Sequence, residues 1–166
     1  MMYNSTRDNS VRVTSSQAIT QGISKDGGLF VPEEIPALTL EEISNMISLK
    51  YPERAEYIMS KYLTDFTGDE VKECANLAYN EERFRHPDIA PLHQLGDGVN
   101  LLELWHGPTC AFKDMALQIL PHLMRVSASR TADGKEIVIL VATSGDTGKA
   151  ALEGFRDAAK TRILVF

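Results

Sequence analysis

At 166 residues, 43% hydrophobic and 24% charged, the chain has the composition of an ordinary folded protein with a packed core, not of a disordered or fibrous one. Its formal net charge of -6 argues against a nucleic-acid partner or a membrane surface. No apolar run approaches the roughly 18 residues of a membrane helix, and Met1 to Asp8 lacks the apolar centre of a signal peptide.

Residues 1–38 read as irregular or short-stranded. Ser15 to Gln21 has the pattern of a short helix stopped by Gly22, and Asp26-Gly27-Gly28 marks a turn. Leu29-Phe30-Val31 reads as a short buried strand, followed by Glu33-Glu34 bracketed by Pro32 and Pro36.

From Thr39 the spacing becomes helical. Thr39 and Glu42 fit a capping box, with Leu40, Ile43 and Ile47 on one face of the helix that follows. Pro52 suits the opening of a second helix, striped by Ala55, Ile58, Met59, Tyr62, Leu63 and Phe66. Thr67 to Glu70 caps a third, with Val71, Cys74, Ala75 and Ala78 inward. Residues 39–80 are therefore expected to form a helical layer, with 81–98 as a connector broken by His86-Pro87 and Ala90-Pro91.

Strand and helix alternate after Val99, so the chain divides into an amino-terminal region, 1–98, and the start of an α/β region, 99–166. Val99 to Trp105 reads as a strand, followed by a long helix with Phe112, Ala116, Ile119, Leu120, Leu123 and Met124 inward and a kink or break at Pro121. Ile137 to Val141 is continuously apolar, the mark of a parallel strand buried on both faces. Asp146 to Ala159 reads as a helix and Arg162 to Phe166 as a second such strand, giving a right-handed βαβ unit. Because the chain stops inside that strand, the expectation is a truncated piece of a longer protein.

Two cysteines, Cys74 and Cys110, make no disulfide framework and point to a reducing compartment, the cytoplasm. Cys110 reads as a buried, unreactive thiol, although its nearness to Lys113 leaves a site-lining position open. His86, His93, His106 and His122 show no i, i+4 pair, so no metal site is expected. There is no nucleophile elbow and no evident acid pair.

Two stretches can carry chemistry. In His106-Gly107-Pro108-Thr109-Cys110-Ala111-Phe112-Lys113-Asp114, Lys113 falls in the first turn of a helix, where the dipole disfavours the ammonium and so favours a nucleophilic amine able to form a Schiff base. A surface lysine opening a helix is the plainer alternative. His106 either contacts an anion or is a hydrogen-bonded structural histidine. In Thr143-Ser144-Gly145-Asp146-Thr147-Gly148, a strand hands over to a helix where open α/β sheets place ligands. Glycines and hydroxyls there suit a carboxylate or phosphate. Asp146 opposes an anion and reads equally well as a helix cap. Ala150 follows Gly148-Lys149, so this is no nucleotide phosphate loop.

The run Leu102 to Gln118, with Lys113 at its centre, resembles the pyridoxal-phosphate lysine segment of the threonine synthase family. Ala142 to Gly148 resembles the substrate loop of the same family, and Tyr3 to Arg7 with Asp26 to Pro32 its opening. The resemblance implies an α/β fold in which a mainly helical amino-terminal region with short strands precedes the start of a tryptophan-synthase β-like (fold type II) parallel sheet. It implies conversion of O-phosphohomoserine and water to threonine and phosphate. Lys113 would hold pyridoxal 5'-phosphate and shuttle protons. Thr143, Ser144, Gly145, Asp146 and Thr147, with His106, would bind substrate, Asp146 also facing the cofactor's ring oxygen. Many relatives in the fold carry Asn at that point. The family's cofactor-phosphate loop and the partner of the pyridine nitrogen lie beyond residue 166, so these residues alone are expected to be inactive. Another fold type II phospholyase, or a non-catalytic segment holding no cofactor, remain as alternatives.

Overall fold

The computed structural model describes residues 1–143 and 145–166. The chain begins with a small antiparallel sheet in the order β2-β1-β3, from β1 (Tyr3–Ser5), β2 (Arg12–Val13) and β3 (Phe30–Pro32). Tyr3 pairs with Val13 on one side and Pro32 on the other. The strand expected at 29–31 is present, shifted by one residue and at the sheet edge. It is not buried, with Leu29 62% and Val31 41% exposed.

Between β2 and β3, α1 (Ser15–Gln21) ends at Gly22, whose φ of 71° is the left-handed turn that glycine makes easily. Thr14 and Gln17 form a full capping box here. The Ser/Thr-x-x-Gln signal for it is present in the sequence.

Three helices follow: α2 (Leu40–Met46), α3 (Tyr51–Tyr62) and α4 (Gly68–Ala78). Both expected capping boxes form, Thr39 with Glu42 and Thr67 with Glu70. In α4 the predicted inward residues Val71, Cys74, Ala75 and Ala78 are all at most 1% exposed. By contrast α2 turns Leu40 outward, 85% exposed, and its C-cap Ile47 is 72% exposed. It is held instead through Glu42, which accepts hydrogen bonds from Lys61 and Tyr57 of α3, each 2.6 Å long.

The expected connector at 81–98 contains a strand. β4 (Leu92–Gly96) pairs antiparallel with β5 (Val99–Leu102), so the two form a hairpin turning at Asp97 and Gly98. Gly96, Asp97 and Gly98 all have positive φ, and Asp-Gly is the turn signal that marks it. The strand expected over 99–105 is thus shorter and belongs to this hairpin, not to the parallel sheet.

The long helix after Lys113 is two helices, α5 (Asp114–Leu117) and α6 (Leu120–Thr131), with Pro121 in the first turn of the second. The break shifts the helical phase. Ile119, Leu123 and Met124 are buried as expected, whereas Phe112 is 60% exposed and Ala116 is exposed. Ile119, Leu123 and Val126 complete one core with Val71, Cys74, Ala78, Phe84 and Ile89. Tyr79 joins it too, and its hydroxyl donates to the Met115 carbonyl at 2.7 Å, tying the helical layer to α5.

The last unit is β6 (Ile137–Val141), α7 (Asp146–Gly154) and β7 (Thr161–Val165), with β6 and β7 parallel and in register from Ile137–Thr161 to Val141–Val165. The helix ends five residues earlier than expected. One sheet face is open, with Val138 52%, Leu140 67% and Leu164 52% exposed. Two strands and one crossover helix can cover a single face only, so the expectation of burial on both does not hold.

Candidate active site

The loop from His106 to Lys113 is folded by hydrogen bonds to its own residues. Asp114, the first residue of α5, is 0% exposed. Its Oδ2 accepts from the Thr109 backbone N–H and its Oδ1 from the Thr109 hydroxyl, both at 2.8 Å. Cys110 N–H donates to the Gly107 carbonyl at 3.2 Å, and Asp114 N–H to the Ala111 carbonyl at 3.0 Å. Cys110 itself adopts a φ of 61°, which costs a residue with a side chain roughly 1–2 kcal/mol. It is exposed, which corrects the expectation of a buried thiol; Cys74 is buried.

Lys113 caps α5 in a helical conformation, half-buried, with its Nζ 4.7 Å from the centre of the Phe112 ring. A helix of four residues has little macrodipole, so the dipole argument made from the sequence loses most of its force. Among the described residues the amine has no hydrogen-bond or ion-pair partner.

His106 is held at the other end of the loop. Its Nε2 lies 2.7 Å from Glu103 Oε2, its ring stands 5.1 Å from that of His86, and its carbonyl accepts from Arg85 N–H at 2.9 Å. Its Nε2 is thus engaged by a carboxylate of the same loop.

The second stretch begins where β6 ends. Ser144 lies outside the described residues. Thr143 Oγ1 accepts from Gly145 N–H at 3.4 Å, Gly145 is the N-cap of α7, and Asp146 and Thr147 open the helix. Asp146 is therefore exposed in the first turn and not the cap. Gly148 is buried for packing: a Cβ there would stand 2.5 Å from Thr143 Cγ2 and 2.8 Å from Val165 Cγ1. It lets α7 approach the strand ends, whereas a Cβ at Gly145 would meet nothing within 4 Å among the described residues.

Lys113 and His106 thus share one loop, and Thr143, Gly145, Asp146 and Thr147 share another. Among the described residues no hydrogen bond or ion pair joins the two sets. They are connected through helix packing, because Gly154 of α7 rests on the Leu117 carbonyl of α5. A cavity of about 870 Å³ lies elsewhere, lined by Tyr51, Ile58, Met59, Pro91, Leu102 and other residues, and contains neither set. The sequence reading missed Gly107, Thr109, Asp114 and Glu103; the tight run Gly107-Pro108-Thr109 followed by a carboxylate was the available sign.

Among the described residues no helix is long and apolar enough to cross a membrane, and no three His, Cys, Asp or Glu side chains are grouped to hold a metal. Residues 2–79 match the family described as threonine synthase N terminus. Threonine synthase of Schizosaccharomyces pombe is 39% identical over 98% of this chain and 33% of its own length. That of Pseudomonas aeruginosa is 41% identical over 99% of this chain and 34% of its own. The crystal structure of threonine synthase from Brucella melitensis with pyridoxal phosphate bound superposes with a TM-score of 0.91 at 36% identity, covering 99% of this chain and 35% of that one. The chain spans about a third of the length of the relatives it matches. By sequence over nearly all its residues, and by fold, the chain belongs to the threonine synthase family and corresponds to the amino-terminal part of its relatives.

Proposed function

We propose that this chain supplies the lysine-bearing part of a pyridoxal-phosphate enzyme that converts O-phosphohomoserine and water to threonine and phosphate. The observation that carries the reading is Lys113: an amine without a polar partner among the described residues, at the end of a loop fixed by a buried carboxylate. A primary amine in that condition fits an aldehyde cofactor, since no ion pair has to be broken before it gives up its proton and reacts.

When bound, pyridoxal phosphate supplies an electron sink for carbanions next to the reacting carbons, which lets phosphate depart from the γ carbon. Lys113 holds the cofactor and afterwards moves protons at the substrate's carbons. A positioned acid–base group of this kind contributes about 10²–10⁴ in rate. Gly145, with Thr143 and Thr147 and the first N–H groups of α7, binds the substrate's carboxylate or phosphate. Ser144 belongs to the same loop by sequence. Asp146, exposed at the helix start, would face the cofactor's ring oxygen, where a carboxylate gives a different charge from the amide common in the fold. His106, oriented by Glu103, contacts the substrate's anionic end. The substrate is a small molecule, and the two free cysteines support a cytoplasmic setting.

The test uses the protein as its own gene encodes it. With O-phosphohomoserine and pyridoxal phosphate, phosphate and threonine are expected in equal amounts, and Lys113→Ala should abolish both. Phosphate without threonine would assign the site to a different phospholyase.

A further inference from the structure

Lys113 has a long, flexible side chain, and among the described residues its amine makes no hydrogen bond or ion pair and stands over the Phe112 ring. What the protein can fix is therefore the backbone that carries it. That backbone runs directly into Asp114, the one carboxylate among the wholly buried side chains of the chain's described residues.

Burying a carboxylate without a cation is costly unless its oxygens are satisfied. No ion pair to Asp114 occurs among the described residues. Both of its oxygens are instead served by a single residue, Thr109, through its N–H and its hydroxyl, each at 2.8 Å. Gly107 makes the space: a Cβ there would stand 2.5 Å from Asp114 Oδ2 and 2.5 Å from its Cβ. An asparagine would keep the shape, its amide oxygen facing the Thr109 N–H and its amide N–H meeting the hydroxyl, which would have to turn round and accept. As a carboxylate, Asp114 accepts from both Thr109 donors at once. It closes the loop from Gly107 to Asp114 into a single unit, with Lys113 as its last free residue.

We infer that the Asp114–Thr109 clasp, seated in the hollow beside Gly107, is the positioning device that sets where the Lys113 amine meets its aldehyde. The inference rests on the reading of Lys113 as the cofactor lysine and adds the residues that aim it. A misplacement of about 1 Å can lower a rate by about 10²-fold, so a clasp that only orders the backbone has a large effect on trapping.

The protein is incubated with pyridoxal phosphate, reduced with borohydride at intervals, digested and mapped, while circular dichroism follows the folded fraction. Thr109→Val removes the hydroxyl and keeps the N–H and the shape. It is expected to remain folded at the assay temperature, to slow trapping at Lys113 by about 10²-fold, and to spread residual label over other lysines. Thr109→Ser keeps both donors and should restore trapping near the parent rate. Parent-rate labelling of Lys113 in Thr109→Val would overturn the clasp, as would loss of trapping only in proportion to unfolding, or a Thr109→Ser variant as slow as the valine one. An unlabelled Lys113 in the parent protein would overturn the cofactor reading and this one with it. Label there in the parent, with no change in Thr109→Val, would overturn the clasp alone.

Discussion

Gly154 of α7 lies so close to the carbonyl oxygen of Leu117 in α5 that no side-chain carbon fits between them. The Leu117 carbonyl carbon would itself be only 3.0 Å from a Cβ at that position. Because the obstacle is backbone, it cannot rotate away. The helix that follows Lys113 and the helix that begins at the Gly145 turn are thereby set against each other at one fixed distance.

Gly154→Ala should therefore cost about 1–3 kcal/mol, the usual range for overpacking a close contact. Its φ lies outside the left-handed region, so the cost is steric and not conformational. Urea denaturation of the two proteins measures it; a difference under a few tenths would mean the helices can part freely.

Phe84 is 1% exposed within the core that joins α4 to α6. Truncating such a ring leaves a cavity, and Phe84→Ala is expected to lose about 3–5 kcal/mol. Thermal melting followed at a helix signal should register it as a single large drop.

Lys61, with the Thr39 backbone N–H and Tyr57, holds the Glu42 carboxyl down to about 2 from an ordinary 4.5. A folded-state pKa below the unfolded one stabilises the fold fully above the unfolded value and ceases to do so as pH falls through the folded value. Glu42→Gln should thus be less stable than the parent at pH 7 by an amount constant down to about pH 4.5. That gap should close between about 4.5 and about 2. Paired denaturation curves at pH 7 and pH 3 check the sign, and a gap that widened on acidification would contradict it.

The two thiols should separate cleanly in reactivity. Cys74 is 0% exposed, and burial pushes its thiol up to about 11, whereas Cys110 is exposed. The thiolate is the reactive form, so a maleimide should label native protein at Cys110 only. Cys74 should become available in denaturant. Peptide mapping before and after unfolding distinguishes this from labelling of both.

How much of this was legible in the chain is clearest at the helix starts. Thr39-x-x-Glu42 and Thr67-x-x-Glu70 each close a capping box as read, because both partners lie within one turn and nothing distant intervenes. Val71, Cys74, Ala75 and Ala78 are buried as their spacing required. The parallel pairing of β6 and β7 followed from a strand, helix, strand order that short connections permit in few ways.

What the sequence determined by itself, then, was local: which segments cap, coil or extend, and which faces are apolar. Its two candidate loops could also be picked out, because glycines, hydroxyls and a lysine just before a helix are visible without a fold. Only the tertiary structure decided that Leu40 and Ile47 of an apolar helix face outward, and that residues 92–102 pair as a hairpin. It also decided that Asp114 reaches back to Thr109. Each of these depends on which surfaces meet across the chain, and periodicity records that a face is apolar without recording what covers it.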